Sequence, residues 1–342
     1  MRISLLFAII LGATNGILCQ NASGYEVPVK VETIYHFNSS VSLEKLAIRK
    51  SGEAIVCFDN SPNIYQVDPD SINGSVRHIH TFEGYLVAHG IVEVEDDQFY
   101  VAVSNLSVWT HTYVLGSPSI FHVNMTGFPE HPARVREVAH FADAAILNGM
   151  EVLSKKEGLI YVGDIPLGVI NVLNVNTGHH YVAINNSYTT IYPFNNGSGI
   201  YGIHVFQPKH ESTKYLYFSN QKQALIARVP IHPKSGLPVG EPEVVVSNLT
   251  SVAEFALDKE GNIFAALFSL NQFVRVDHKT NEVLVLAGGP DIDTYTEAVS
   301  VVFGRTESDK GKLYAVTIGG FTALHNVGAG LFRLDTQDMA VV

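Results

Sequence analysis

Charge is scarce in this chain of 342 residues. Only 16% of the residues are Asp, Glu, Lys or Arg, and the basic ones are the rarer, 22 against 33 acidic, for a formal net charge of −11. With no run of Lys and Arg to neutralise phosphates, the sequence argues against a nucleic-acid partner. Cysteine is nearly missing: two residues cannot build a disulfide framework. Past the first twenty positions no apolar run reaches the roughly eighteen residues of a membrane span. Helical periodicity is also almost absent, and no GxSxG motif nominates a serine nucleophile. The remaining composition is that of a folded chain, since 46% hydrophobic residues with little charge is the opposite of a disordered one.

The N-terminus MRISLLFAIILGATNGILCQ combines a basic Arg2, an apolar run from Ile3 to Leu11 and small residues after it. That order predicts a signal peptide over residues 1–20, cleaved between about Gly16 and Gln20. Cys19 would go with it or become terminal, leaving Cys57 as one buried thiol in an apolar strand. Eight N-x-S/T triplets start at Asn21, Asn38, Asn73, Asn105, Asn124, Asn185, Asn196 and Asn248. Chance would give about three, so the mature chain is expected to be secreted or lumenal and N-glycosylated.

The mature part, 21–342, reads as one domain built on a repeat of about fifty residues. Short strands rich in β-branched and aromatic residues recur. Second strands of the repeat are EAIVCFDN, QFYVAVSN, LIYVGDI, YLYFSN, NIFAALFS and KLYAVTIGG, and a third strand follows each of them. Five fourth strands are found, and the sixth is missing at the C-terminus. The segment VPVKVETIYHF (27–37) has no repeat of its own, so it is expected to complete the last one. The prediction is an all-β six-bladed propeller of four-stranded blades, closed by the N-terminal strand.

Aligning the repeats places Glu44, His89, Asn148, Tyr201, Ala253 and Val299 at one equivalent position, with separations of 45, 59, 53, 52 and 46 residues. Six such side chains converge on the axis at one face. Two connections at that face are long. One holds Trp109, the only tryptophan, with His111 and Tyr113; the other holds Phe321, Leu324 and His325. Aromatic loops over a channel mouth are expected to wall a pocket. Of the fifteen histidines, none lies in an HxH or HExxH setting with a suitable carboxylate, so surface and strand roles are expected for most.

The segments LEKLAI, LNGMEVL with IYVGD, YGIHVF with LYFSN, EFALDKEGNIFAA, LAGG, VVFGRT and KLYAVT resemble the senescence-marker-protein/gluconolactonase and strictosidine-synthase-like propellers, particularly their secreted fungal branch. The resemblance spans roughly residues 30–335 and implies a small-molecule site at the channel mouth. Members that hydrolyse lactones hold a divalent cation with a Glu, two Asn and an Asp. Glu44 and Asn148 match two of these. Tyr201 and Ala253 stand at the other two, with Glu254 one residue on.

The departure from the lactonase pattern points to an apolar, metal-independent pocket with no cofactor. Its lining is expected to include Trp109, Tyr113, Ala253, Glu254, Val299, Phe321, Leu324 and His325. Metal-free members of the fungal branch include hetero-Diels–Alderases that couple a tropolone-derived o-quinone methide to a humulene-type sesquiterpene, and this chain is similar to that group. Dehydration of a hydroxymethyl precursor needs a general acid, for which Glu44 or His89 is expected, and Tyr201 and Asn148 are expected to donate to the heterodiene oxygen. A metal-dependent lactonase or esterase and a non-catalytic binder are the alternatives. The oligomeric state is not legible.

Overall fold

The computed structural model describes residues 29–71, 75–191, 198–320 and 326–340. Its strands form six four-stranded antiparallel sheets and one two-stranded ribbon. Among the described residues the helical turns are two single 3-10 turns, Phe268–Leu270 and Asp293–Tyr295. Innermost strands of blades one to six are Leu43–Ile48, Val87–Glu95, Leu147–Ser154, Ile200–Phe206, Val252–Leu257 and Ala298–Phe303. The fourth strand of blade six is Val31–His36, antiparallel to Gly330–Asp335. The ring closes as the sequence predicts. Arg333 clasps the joint, reaching Glu32 and Asp70 of blade one at 2.8 Å each.

Burial explains the arrangement. Each sheet is apolar on both faces, so it must be covered on both sides by a neighbour. Six clusters of buried side chains result. Tyr100, Ile120, Leu147 and Ile160 fill the joint between blades two and three, for example, and Phe264, Phe273, Val301 and Phe332 that between five and six. Cys57 sits in the joint between blades one and two as a buried free thiol.

The inner strands share one irregularity. Their pairing with the second strand slips between Leu43 and Lys45, Ala88 and Ile91, Leu147 and Met150, Ile200 and Ile203, Val252 and Phe255, and Ala298 and Ser300. All six slips bracket the positions singled out by the repeat alignment. A bulge lets two successive side chains face the same way, so each inner strand offers the axis an upper residue and the one after it. Below Glu44 comes Lys45, and below Ala253 comes Glu254.

Below His89, Asn148 and Tyr201 come glycines, because nothing larger fits. A Cβ on Gly90 would lie 2.2 Å from the Asn148 carbonyl oxygen, and one on Gly149 would lie 2.3 Å from that of Tyr201. These contacts are backbone and cannot swing aside. Gly149→Ala is therefore expected to destabilise the fold by about 1–3 kcal/mol, as overpacking does. Urea unfolding monitored by circular dichroism measures it, and an unchanged midpoint would refute the close approach.

Between the second and third strands of blade two, the ribbon Leu106–Ser107 with Thr112–Tyr113 carries Trp109, which is 73% exposed. Phe321, Leu324 and His325 lie outside the described residues, as do the N-terminal signal segment, Asn21, Asn73 and Asn196. Of the other triplet asparagines, Asn38, Asn185 and Asn248 are exposed and Asn105 and Asn124 half-buried. No helix of the described residues is long and apolar enough to cross a membrane.

Candidate active site

Six inner strands bring Glu44, His89, Asn148, Tyr201, Ala253 and Val299 into one buried ring, none more than 6% exposed. Tyr201, Ala253 and Val299 belong to an apolar cluster with Ile146, Ile165 and Ile318, against which Leu106 and Phe268 pack half-buried. Ile165, Phe268 and Ile318 each directly follow a second strand or its last residue, which is why they reach the mouth. Apolar side chains thus surround a polar spot at Glu44, His89 and Asn148.

Glu44 is the centre of that spot. Its Oε1 accepts the Asn148 amide at 2.6 Å and the hydroxyl of Tyr201. Burial and the charge of Asp59 hold its carboxyl above the usual carboxylate range, against the pull of His89, Lys45 and the Tyr201 bond. Beside it, His89 Nε2 lies 2.7 Å from Asp59 Oδ1, at the end of the second strand of blade one. Burial alone would lower this imidazole. The bond to Asp59 and the charges of Asp59 and Glu44 outweigh it and raise the proton affinity. Among the described residues, two buried atoms here have no hydrogen-bond partner: His89 Nδ1 and Asn148 Oδ1.

One tier deeper the channel is crossed by charge. Lys45 of blade one is ion-paired with Glu254 of blade five, and its ammonium lies 4.9 Å from the centre of the Tyr201 ring. His204 continues the chain, with Nε2 3.2 Å from Glu254 and Nδ1 3.0 Å from Glu151. Burial opposes both charges, yet Lys45 and His204 bring Glu254 down to about 2. The two carboxylates likewise lift His204 to about 9 despite its burial. Both ring nitrogens thus face carboxylates, and His204 is an imidazolium.

Several sequence expectations change in detail. Glu254, expected in the lining, is held below the ring by Lys45 and His204. Asn148 and Tyr201, expected to donate to a ligand, both donate to Glu44. Trp109 and Tyr113 stand exposed on the ribbon, at 73% and 42%. Lys45, Asp59, His204 and Glu151 were not among the expected site residues. Only the EAIVCFDN strand end and the bulge, which turns the residue after each ring position inward, could have signalled Asp59 and Lys45.

No protein-family model matches the sequence, and no curated protein matches it. The fold does have solved counterparts. A luciferin-regenerating enzyme superposes with a TM-score of 0.66 at 12% identity, covering 92% of this chain and 97% of that one. Regucalcin from Agrobacterium tumefaciens, a calcium-binding protein, gives 0.61 at 16%, covering 90% and 94%. The PQQ-bound aldose sugar dehydrogenase of Streptomyces coelicolor gives 0.55 at 14%, covering 90% and 99%. At these identities the likeness is one of fold, and the site must be judged on its own residues.

The donor set does not fit a hard divalent cation. Such an ion takes six to eight oxygens. Here Glu44 Oε1 already accepts two hydrogen bonds, Asn148 turns its NH2 toward Glu44, Tyr201 directs its hydroxyl proton there too, and Ala253 offers a methyl. The Lys45 ammonium beneath the Tyr201 ring adds repulsion. Among the described residues no three His, Cys, Asp or Glu side chains are grouped to hold a metal.

Proposed function

We propose that the chain is a secreted enzyme that performs acid-assisted [4+2] cycloaddition on an apolar natural-product intermediate, bound in an apolar cup at this ring. The reading is a hetero-Diels–Alderase: dehydration of a hydroxymethyl tropolone to its o-quinone methide, then addition across a humulene-type alkene. One observation carries it. Glu44 is a buried carboxyl held toward its acid form among apolar side chains, which is what departure of hydroxide as water requires.

The steps balance without an oxidant. Glu44 gives its proton to the leaving hydroxyl, the C–O bond breaks and water departs. The ring O–H proton returns the carboxylate to its acid form. The quinone methide then forms one C–C and one C–O bond to the alkene with no leaving group. Holding two reactants together in this way is worth up to ~7–11 kcal/mol when well oriented. The apolar walls Ile146, Ile165 and Ile318 keep bulk water from adding to the methide instead.

The test incubates the purified glycoprotein with a hydroxymethyl tropolone and a humulene-type alkene, with and without EDTA. A single cycloadduct stereoisomer, formed faster than background in both conditions, is expected. A product mixture identical to the uncatalysed one refutes the reading. Chelator-sensitive lactone hydrolysis would favour a metal-dependent hydrolase, and ligand binding without turnover would favour a carrier.

A further inference from the structure

We infer that a basic cleft between blades two and three binds a sugar that carries a phosphate or sulfate ester. The cleft lies away from the ring of Glu44 and His89, and its role does not depend on the cycloaddition.

Cross-strand register puts one row of side chains at the same level of each blade. From second to fourth strand it reads Tyr217, Arg228, Glu243 in blade four and Tyr314, Arg333, Glu32 in blade six. The arginine of each row is ion-paired with its glutamate, at 2.5 and 2.8 Å. Blade two keeps a tyrosine and a cation but has no carboxylate: its row is Tyr100, His122, Arg136. Arg134, two residues along the same strand, shares the face of Arg136. Blade three adds Lys155 and Lys156 from the turn after its innermost strand. Among the described residues, none of these four cations has a carboxylate within ion-pairing distance. Arg49, Arg228, Arg275, Arg305 and Arg333 each have one.

The cations border open space. Tyr100, Arg136, Lys155 and Lys156 line a cleft of about 560 Å³, and Arg134 lines an adjoining one of about 210 Å³. His122 and Arg136 belong to both. Two acids also line the larger cleft, Glu95 and Asp96, but Asp96 is held by Lys50 at 2.6 Å. Positive charge therefore prevails locally in a molecule of net charge −11, and an anion is what it attracts. The guanidinium fork of Arg136 suits the oxygens of a phosphate or sulfate. A bare ion would leave most of the space empty. The rest of the lining includes Gln98, Asn176 and the His122 ring, stacked 5.0 Å from that of Tyr100. Such amides and an imidazole pair with hydroxyls, so the body of the ligand is a sugar rather than a hydrocarbon.

Glucose 6-phosphate, glucose 6-sulfate, inorganic phosphate and glucose are the probes, titrated by calorimetry at low salt. Asn124, which begins an N-x-S/T triplet, borders the smaller cleft beside Arg134, so the full glycosylated chain is used. At least one ester is expected to bind about tenfold or more tighter than inorganic phosphate or glucose, and to weaken as NaCl is added. The ester that binds better identifies the anionic group. Arg136→Gln should weaken that ester by about tenfold. Arg77→Gln, which changes the fourth-strand arginine of the same row in blade one, should leave it unchanged. Both side chains are exposed, so neither change disturbs the core. Esters bound no better than glucose overturn the site, and inorganic phosphate bound as tightly as the esters overturns the sugar. Unchanged ester binding in Arg136→Gln overturns the placement.

Discussion

Glu44→Gln is expected to lower turnover from a hydroxymethyl precursor by about 10²–10⁴-fold, the usual worth of a positioned general acid. The amide keeps an oxygen that can accept from Asn148 and Tyr201, so the ring should stay assembled. What it loses is the transferable proton. If the precursor is replaced by a quinone methide generated in solution, the variant should recover rate and stereoselectivity, since cycloaddition itself needs no proton. A variant equally slow with both substrates would show that Glu44 shapes the cup rather than driving the dehydration.

The pH profile supplies a second check on the same residue. A general acid works while protonated, so turnover should hold at low pH and fall as pH rises through the elevated Glu44 titration. Tyr201→Phe removes a hydrogen bond that favours the carboxylate. It should therefore move that falling limb to higher pH. A limb that stays in place in this variant would assign it to another group.

Glu254→Leu is expected to cost about 3–5 kcal/mol of stability, because it strands the Lys45 charge in a buried channel. Lys45→Met together with Glu254→Leu should regain much of that loss, since an apolar pair of similar volume often matches a buried ion pair. Urea unfolding of the two variants decides it. If the double variant is no more stable than the single one, the pair is not the source of the effect.

The same chain of charges defines a stability window. Glu254 titrates at about 2 in the folded chain, below its usual 4.5, so its contribution is complete above about pH 4.5 and is lost as pH falls toward 2. His204 titrates at about 9, above 6.5, so its contribution is complete below about pH 6.5 and is lost as pH rises through 9. Stability from these groups should be greatest between about pH 4.5 and 6.5.

The blade count, the closing strand and the six ring positions were legible because each is repeated, and a period survives in sequence whatever the side chains do. The side-chain partners were not. Lys45 and Glu254 are 209 residues apart, Tyr201 and Glu44 157, and Asn148 and Glu44 104. No local pattern encodes contacts that exist only once the ring has closed. This is why Asn148 and Tyr201 read as ligand donors from their types, while their geometry commits them to Glu44. Glu254 read as lining because it adjoins Ala253; the bulge that turns it inward also delivers it to Lys45.

The Lys45–Glu254 bond has a consequence for traffic. A propeller axis is ordinarily a tube with two ends, but here it is stoppered one tier beneath the ring. For the proposed two-substrate reaction, that would leave one doorway for arrival and departure alike. The deeper reactant would have to enter first, and the larger product would leave past the same rim.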